Sequence, residues 1–397
     1  MKILHINNYD TLGGASKACF AINNALRAQG IDSEILTQSK LSKSEFVNEF
    51  SNTLFKKTTR FFRIGLDLAA IKLFTHPEMG RFSFPYLGVD ISKHPKVIEA
   101  DILHFHWING GFFSLDTFQK LKNQNKKIVW TFHDMWAFTG GCHYTGGCNK
   151  FKTECKFCPY LKKSSEIDLS NKIFNQKKAL FNNFDIHIVT CSNWLANETK
   201  TSALLKDKTI TAIPNPIDIN TFSPFDKIEV RKQLNLNQNK KYILFGTMTL
   251  ADKRKGLFYL LESLRRLGNI LDFPKDDIEV LIFGSSKNTD ELNLPFKTTS
   301  FGRIADTKLL AKIYSAADVF IAPSLEDNLP NTVMESLSCG TPVAAFDIGG
   351  MSDMIIHKQN GYLAKPESVG SLTEGIVWIL SDEQRLLELN NKARNKV

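Results

Sequence analysis

"VFIAPSLEDNLPNTVMESLSCGTPV", residues 319–343, decides the fold. The apolar run 319–322 reads as a buried strand, 323–330 as the loop at its C-terminal end, and 331–339 as a helix. Asn331 is placed to cap that helix, and Gly340 suits the position just past its end. A second apolar run, 343–346, follows at once. Strand, loop, helix and strand in this order make a parallel βαβ unit, and ligands bind such units at the C-terminal ends of the strands. Two acids, Asp327 and Glu335, flank the loop and the start of the helix. The N–H groups of a helix start favour a phosphate, whereas ionised carboxylates only accept hydrogen bonds and suit pairs of hydroxyls. The arrangement therefore fits a ligand with both groups: a nucleotide, a sugar, or the two joined. The alternative is that both acids are solvated and favoured at a helix start by its dipole alone.

Working outward, the same rhythm fills the chain. Strand-like runs at 2–6, 33–37, 102–105, 128–131 and 187–191 alternate with helical patterns, and after the two prolines of "IPNPID" (213–218) the rhythm restarts at 242–245 and 279–283. We expect an α/β protein of two Rossmann-like, doubly wound parallel-sheet domains, 1–215 and 216–397, facing a cleft. Gly13 and Gly14 lie between the first strand and the first helix, where small residues either let amides approach a ligand or simply make a turn. "TLADKRKG" (249–256) places Lys253, Arg254 and Lys255 after a strand of the second half, a place for cations to meet a leaving phosphate or for a solvated charged loop.

Composition narrows the class. Of the 397 residues, 43% are hydrophobic and 23% charged, which excludes disordered and fibrous proteins. The N-terminus lacks the apolar core of a secretory signal, and no stretch is long and apolar enough to span a bilayer, so a cytoplasmic protein with reduced cysteines is expected. The formal charge of +9 points to anionic partners. Residues 56–74, "KKTTRFFRIGLDLAAIKLF", read as a core-packing helix with a solvated basic side, the alternative being a helix lying on the inner face of the membrane. Cys142, Cys148, Cys155 and Cys158 crowd the loop 140–160. Structural zinc, unpaired buried thiols and disulfides all stay open for them, since the first pair is spaced more widely than in familiar zinc modules.

The turn "YDTLGGASKA" (9–18), "VWTFHDMWAFTG" (129–140), "IPNPID", "FGRI" (301–304), "ADVFIAPSLEDNLPNTVMESLSCGTPV" (317–343) and "DIGGMSDMI" with "NGYL" (347–363) occur in the order seen in retaining glycosyltransferases of family 4, which the chain resembles. The resemblance implies the GT-B fold, with a UDP- or GDP-sugar donor bound mainly by the second half. The first half would bind a saccharide or lipid-linked saccharide acceptor, as in polysaccharide biosynthesis. It implies catalytic roles for His133, Asp327 and Glu335, with Asp327 at the donor sugar in place of the family's glutamate and Glu335 on the ribose. It implies donor contacts from Gly14, Arg254, Lys255, Glu326, Asn328 and Leu329 besides Glu335. Thr247 stands where the family has an arginine, and Arg254 or Lys253 is expected to substitute. Family members usually end in a helix that crosses back onto the first half, and the sequence stops at "LNNKARNKV", so that helix is expected to be short or cut.

The implied chemistry is transfer with retention, the leaving diphosphate being stabilised by cations and amides rather than by a metal, since no Asp-x-Asp triplet occurs. Two rivals remain at this stage. A nucleotide-sugar epimerase or a sugar phosphorylase of the same fold would act on donor without a separate acceptor. A basic zinc-containing nucleic-acid-binding protein would fit the charge and the cysteines, although no recognised basic-aromatic reader motif is present and no nucleic-acid partner is expected.

Overall fold

A computed structural model of the chain describes residues 1–124, 126–247, 252–270, 277–284 and 292–397. It divides into two compact units, Met1–Pro216 and Ile217–Val397.

The first unit is built on β1 (Lys2–Tyr9), β2 (Asp32–Ser39), β3 (Val47–Glu49), β4 (Ile102–Phe105), β5 (Lys127–Phe132), β6 (His187–Thr190) and β7 (Thr209–Ala212). These form one sheet in the order β3-β2-β1-β4-β5-β6-β7, every pairing parallel. β1 and β4 are neighbours from which the sheet grows in opposite directions. The loops at their C-terminal ends, after Tyr9 and after Phe105, therefore border the topological switch point. The core is strongly aromatic, with Phe105 and Phe118 in ring contact with each other and each with Phe113 and Trp130. The helix α1 (Gly14–Ala28) leaves the β1 loop with Gly13 at φ 90° as its cap, a left-handed conformation that favours glycine.

The second unit carries β8 (Lys241–Gly246), β9 (Ile278–Phe283), β10 (Lys297–Ser300), β11 (Val319–Ala322), β12 (Val343–Phe346) and β13 (Gly361–Ala364). Their order is β10-β9-β8-β11-β12-β13, again parallel throughout. Its switch point lies between β8 and β11, so the loops leading to Gly256 and through 323–330 must meet there. Ile243, Ile282, Ile321 and Phe346 from four adjacent strands form the core with Leu260 and Ile376 from helices.

The expected two-sheet α/β architecture is present. Two details differ from the sequence reading. Asn331 is the first residue of the helix Asn331–Ser338 rather than its cap, because Pro330 occupies the capping position in extended conformation with its fixed φ of −66°. Gly340 does take the left-handed conformation past the helix end, at φ 75°. More consequentially, α2 (Leu54–Phe74) packs Ala70 and Ile71 on the core but turns most of its large apolar side chains away from it. Its only buried residue is Asp67, and its phenylalanines and leucines face outward while arginines face the body of the unit. Of the loop 249–256, residues 249–251 lie outside the described residues.

Candidate active site

The loop after β11 is fixed by its neighbours before any side chain is considered. Gly256, at φ 69°, presses its backbone against Pro323, and a Cβ there would collide with the Pro323 carbonyl. Gly349, at φ 53°, does the same to the Asp327 carbonyl from the turn after β12. Only glycine allows both close approaches, and together they clasp residues 323–327 from two sides.

Within that clasp Asp327 is buried and faces two cations. Lys255 Nζ donates to Asp327 Oδ2 at 2.6 Å, and Arg254 Nη1 lies 3.4 Å from the same oxygen. The Arg254 guanidinium also donates to the Glu326 carbonyl at 2.6 Å, and the Arg254 carbonyl accepts from Leu325 N–H at 2.8 Å. Burial would push the Asp327 carboxyl up, but Lys255, Arg254 and the Asn328 N–H outweigh it and hold it below the ordinary carboxylate range. The cluster sets two cations against Asp327, with Asp252 Oδ2 a second carboxylate 3.4 Å from the Arg254 guanidinium, beside the start of the helix Asn331–Ser338. Asn328 and Leu329 are buried in the same loop. Lys253 is exposed and stays apart from Asp327. The Glu326 main-chain oxygen reaches Arg254, and the Asp327 carboxylate meets both Arg254 and Lys255.

Glu335, one turn into the helix, is also buried, and Tyr314 donates its hydroxyl to Glu335 Oε2 at 3.0 Å. Burial, and after it the negative charge of Glu335, push the Tyr314 phenol well above its usual value, so it is a neutral donor. The two acids thus have different partners, cations for Asp327 and a phenol for Glu335, as two different ligand groups would require. Thr247, just past β8, is buried, and its N–H donates to the Phe283 carbonyl at 3.3 Å.

In the first unit His133 follows β5 directly. Its Nε2 lies 3.1 Å from His106 Nδ1, and His106 Nε2 lies 3.0 Å from His5 Nδ1. On its other side His133 Nδ1 is 3.5 Å from the Cys191 sulfur. Burial lowers the His133 imidazole to about 4, against the opposing charge of Asp134, and lowers His5 to about 3. His133 is therefore a neutral ring at pH 7, oriented by a file of buried imidazoles. Asp134 beside it accepts from Trp107 Nε1 at 3.1 Å, the Trp136 N–H at 2.9 Å and His143 Nδ1 at 2.7 Å. Gly14 opens α1, exposed, with no acid in the first turn.

The histidine file was not foreseen, although a signal existed. "HFH" at 104–106 puts two histidines on one face of β4, and parallel register sets His5 of β1 directly beside His104. Tyr314 could not be singled out, because its helix and that of Glu335 meet only in three dimensions.

All seven cysteines are free thiols. Cys142, Cys148, Cys155 and Cys158 line one cavity of about 20 Å³ together with Lys150 and Lys156.

Comparison with known proteins gives a consistent result. Residues 12–221 match the family described as Glycosyltransferase Family 4, and residues 226–396 that described as Glycosyl transferases group 1. The Escherichia coli K12 protein described as the candidate colanic acid biosynthesis glycosyl transferase WcaC is 25% identical over 383 residues, covering 94% of this chain and 90% of its own. Among solved structures, sucrose-phosphate synthase of Thermosynechococcus elongatus superposes with a TM-score of 0.65 at 19% identity, covering 100% of this chain and 94% of that one. Anabaena Alr3699/HepE, solved with UDP-glucose, does so with a TM-score of 0.63 at 15% identity, covering 100% and 94%.

Proposed function

The chain belongs to the GT-B glycosyltransferases that join a Family 4 domain to a group 1 domain, and from that premise we propose that it moves a sugar from a UDP- or GDP-sugar to a saccharide or lipid-linked saccharide, with retention at the anomeric carbon. The observation that carries this reading is the convergence of Lys255 and Arg254 on buried Asp327 in the loop that precedes the Glu335 helix. The second unit would hold the donor and the first the acceptor, as the glycosyltransferases resembled in sequence do.

In this reading Glu335, steadied by Tyr314, accepts from the ribose hydroxyls. Asp327, carried on the clasped loop, accepts from hydroxyls of the transferred sugar and keeps both cations aimed inward. Asn328 and Leu329 line the donor, and Glu326 contributes its carbonyl by fixing Arg254. As the glycosidic bond breaks, charge grows on the leaving diphosphate. Lys255 and Arg254, with the amides of the helix start, stabilise that charge more in the transition state than in the ground state. Preorganised cations fill the role that a divalent ion plays elsewhere. His133, neutral and held by His106, donates or accepts one hydrogen bond at the sugar without bringing a charge. Polysaccharide assembly at the cytoplasmic face of a membrane is the setting that fits, with peripheral contact rather than a spanning helix.

The test is transfer itself: purified protein with a panel of UDP- and GDP-sugars and lipid-linked acceptors, the products read by mass spectrometry and the anomeric configuration by NMR. Glu335→Gln is expected to abolish transfer with an unchanged circular dichroism spectrum. Wild-type activity in that variant would remove the site. Conversion of donor alone to an isomer or a sugar phosphate would favour the epimerase or phosphorylase instead.

A further inference from the structure

The helix α2 is amphipathic in the reverse sense for a water-soluble surface. Leu54, Phe55, Phe61, Phe62, Leu66 and Leu73 are between 61% and 82% exposed, and their spacings of one, four and seven residues put them on a single face. The opposite face holds the helix down, with Ala70 and Ile71 packed on the cluster of Phe82, Phe84 and Tyr160 and with polar anchors beside them. Arg60 pairs with Glu49 at 2.7 Å, Arg63 donates to Gln38 Oε1 at 2.6 Å and to the Gly111 carbonyl, and Asp67 is buried. These arginines are spent on the fold, so the apolar face is not a by-product of core packing. Single exposed leucines need no explanation, but a contiguous apolar stripe along a 21-residue helix does.

Charge selects the occupant. The outward face carries no carboxylate. Lys57 stands exposed near its start and Lys72 near its end, and Lys162 is tied to the latter by a 2.7 Å bond to the Lys72 carbonyl. No helix among the described residues is long and apolar enough to cross a membrane. An apolar stripe edged by lysines, on a helix that cannot span, suits the headgroup region of an anionic bilayer. We propose that α2 docks this protein on an anionic lipid surface through its outward phenylalanines and leucines. The proposal is compatible with a lipid-linked acceptor and does not rest on one.

The experiment is co-sedimentation of the full chain with vesicles of phosphatidylcholine alone or mixed with phosphatidylglycerol, in the absence of donor and acceptor, so that its outcome is separate from that of the transfer assay. Wild type is expected to bind the anionic vesicles. F61S/F62S/L66S, whose residues face outward, should keep the circular dichroism spectrum and bind at least about tenfold more weakly, and Lys57→Glu with Lys72→Glu should weaken binding while leaving the apolar face intact. Equal binding by the triple variant, or no binding by wild type, overturns the proposal. So does a lipid-free dimer in sedimentation velocity that the triple variant abolishes, since a second copy would then cover the face.

A separate observation concerns the four thiols. Apart from one short 3-10 turn and single bridges from Cys142 to Phe82 and from Leu161 to Thr75, residues 139–168 lack regular elements, yet Cys142, Cys148, Cys155 and Cys158 meet around one small cavity. Donors are aimed at the sulfurs: the Gly140 N–H at Cys155, the Tyr160 N–H and the Ser170 hydroxyl at Cys158. Lys177, buried beside them, bonds the carbonyls of Trp136 and Thr139, and among the described residues no carboxylate lies within 4.0 Å of its ammonium. A buried amine, two further lysines and N–H donors all suit an anionic centre. We infer that these four cysteines bind one structural Zn²⁺ as a tetrathiolate, four S–H bonds giving up their protons as four Zn–S bonds form.

Among the described residues the three ligand atoms that already lie within 4.8 Å of one another belong to His5, Cys19 and His106. The four sulfurs are more widely set than the ~3.8 Å that tetrahedral Zn–S bonds of about 2.3 Å impose, so loading must draw the loop inward. Purified full-length protein should release about one equivalent of zinc on thiol modification. C155S/C158S should retain little, and Cys148→Ser, at the half-exposed ligand, should fold and lose zinc to a chelator sooner. Cobalt added to the metal-free wild type should give a tetrahedral thiolate spectrum. Metal-free protein that takes up neither ion, or disulfide-linked peptides from this loop, overturns the assignment.

Discussion

Lowering the pH should unfold the first unit well before ordinary carboxylate titration begins. Five of its histidines, His5, His106 and His143 buried and His104 and His133 half-buried, are held below their usual range by desolvation, His5 to about 3 and His133 to about 4. Like charge among neighbours adds to the effect at His104 and His106, while Asp134 partly offsets it at His143. Each group's folded value is depressed, so the unfolded chain binds the extra protons. The stability they contribute is complete above about pH 6.5 and is lost as pH falls toward the folded values. If the four that are lowered furthest, His5, His104, His106 and His133, stay neutral in the fold, the loss between pH 7.5 and 5.5 is about 1.4 kcal/mol each, roughly 5–6 kcal/mol together. That is comparable to the whole stability of a typical domain. Four of the five tryptophans, at 107, 130, 136 and 194, lie in this unit, so tryptophan fluorescence and near-ultraviolet circular dichroism report it directly. An acid midpoint above pH 5 is expected, with urea resistance at pH 6 already below that at pH 7.5. A midpoint below pH 4 would show that the histidine file is solvated or charged in the folded state.

Three further outcomes follow from the second unit. Lys255→Met removes one of two cations on Asp327 and should lower kcat about 10²–10³-fold, whereas Lys253→Met, the same charge change on an exposed neighbour, should stay near wild type; equal losses in the two would refute a localised clamp. Gly349→Ala forces a Cβ into the Asp327 carbonyl at a positive φ, so transfer and urea stability should both fall, by about 2 kcal/mol or more for stability. Tyr314→Phe deprives buried Glu335 of a donor and should destabilise by about 1–3 kcal/mol, with a raised donor KM as the functional readout; an unchanged KM would detach Glu335 from the donor.

The central strands were legible because they are covered on both faces. β11 and β12 are fully buried, and such strands must read as apolar runs. The four strands that the sequence did not disclose, β3, β7, β10 and β13, are the four sheet edges. "TITA" and "KTTS" meet a partner on one side only and are largely exposed or half-buried, so nothing requires an apolar run there. Asp327 and Glu335 could be found from spacing, since the loop and the helix that carry them are contiguous. Their partners lie far away in sequence. Lys255 reaches Asp327 across 72 residues, and Tyr314 reaches Glu335 from another helix. Orientation of α2 was illegible for a related reason: hydrophobic periodicity shows that a helix has two faces, and tertiary anchors such as Arg60 to Glu49 decide which one faces water.

The central claim is that the corner formed by Lys255, Arg254, Asp327 and Glu335 grips a nucleotide sugar. A crystal structure with the nucleotide diphosphate of whichever donor supports turnover tests it most directly. The diphosphate should lie within hydrogen-bond reach of Lys255 or Arg254 and the ribose hydroxyls on Glu335. A nucleotide bound elsewhere, with the Lys255–Asp327 and Tyr314–Glu335 contacts undisturbed, would contradict it.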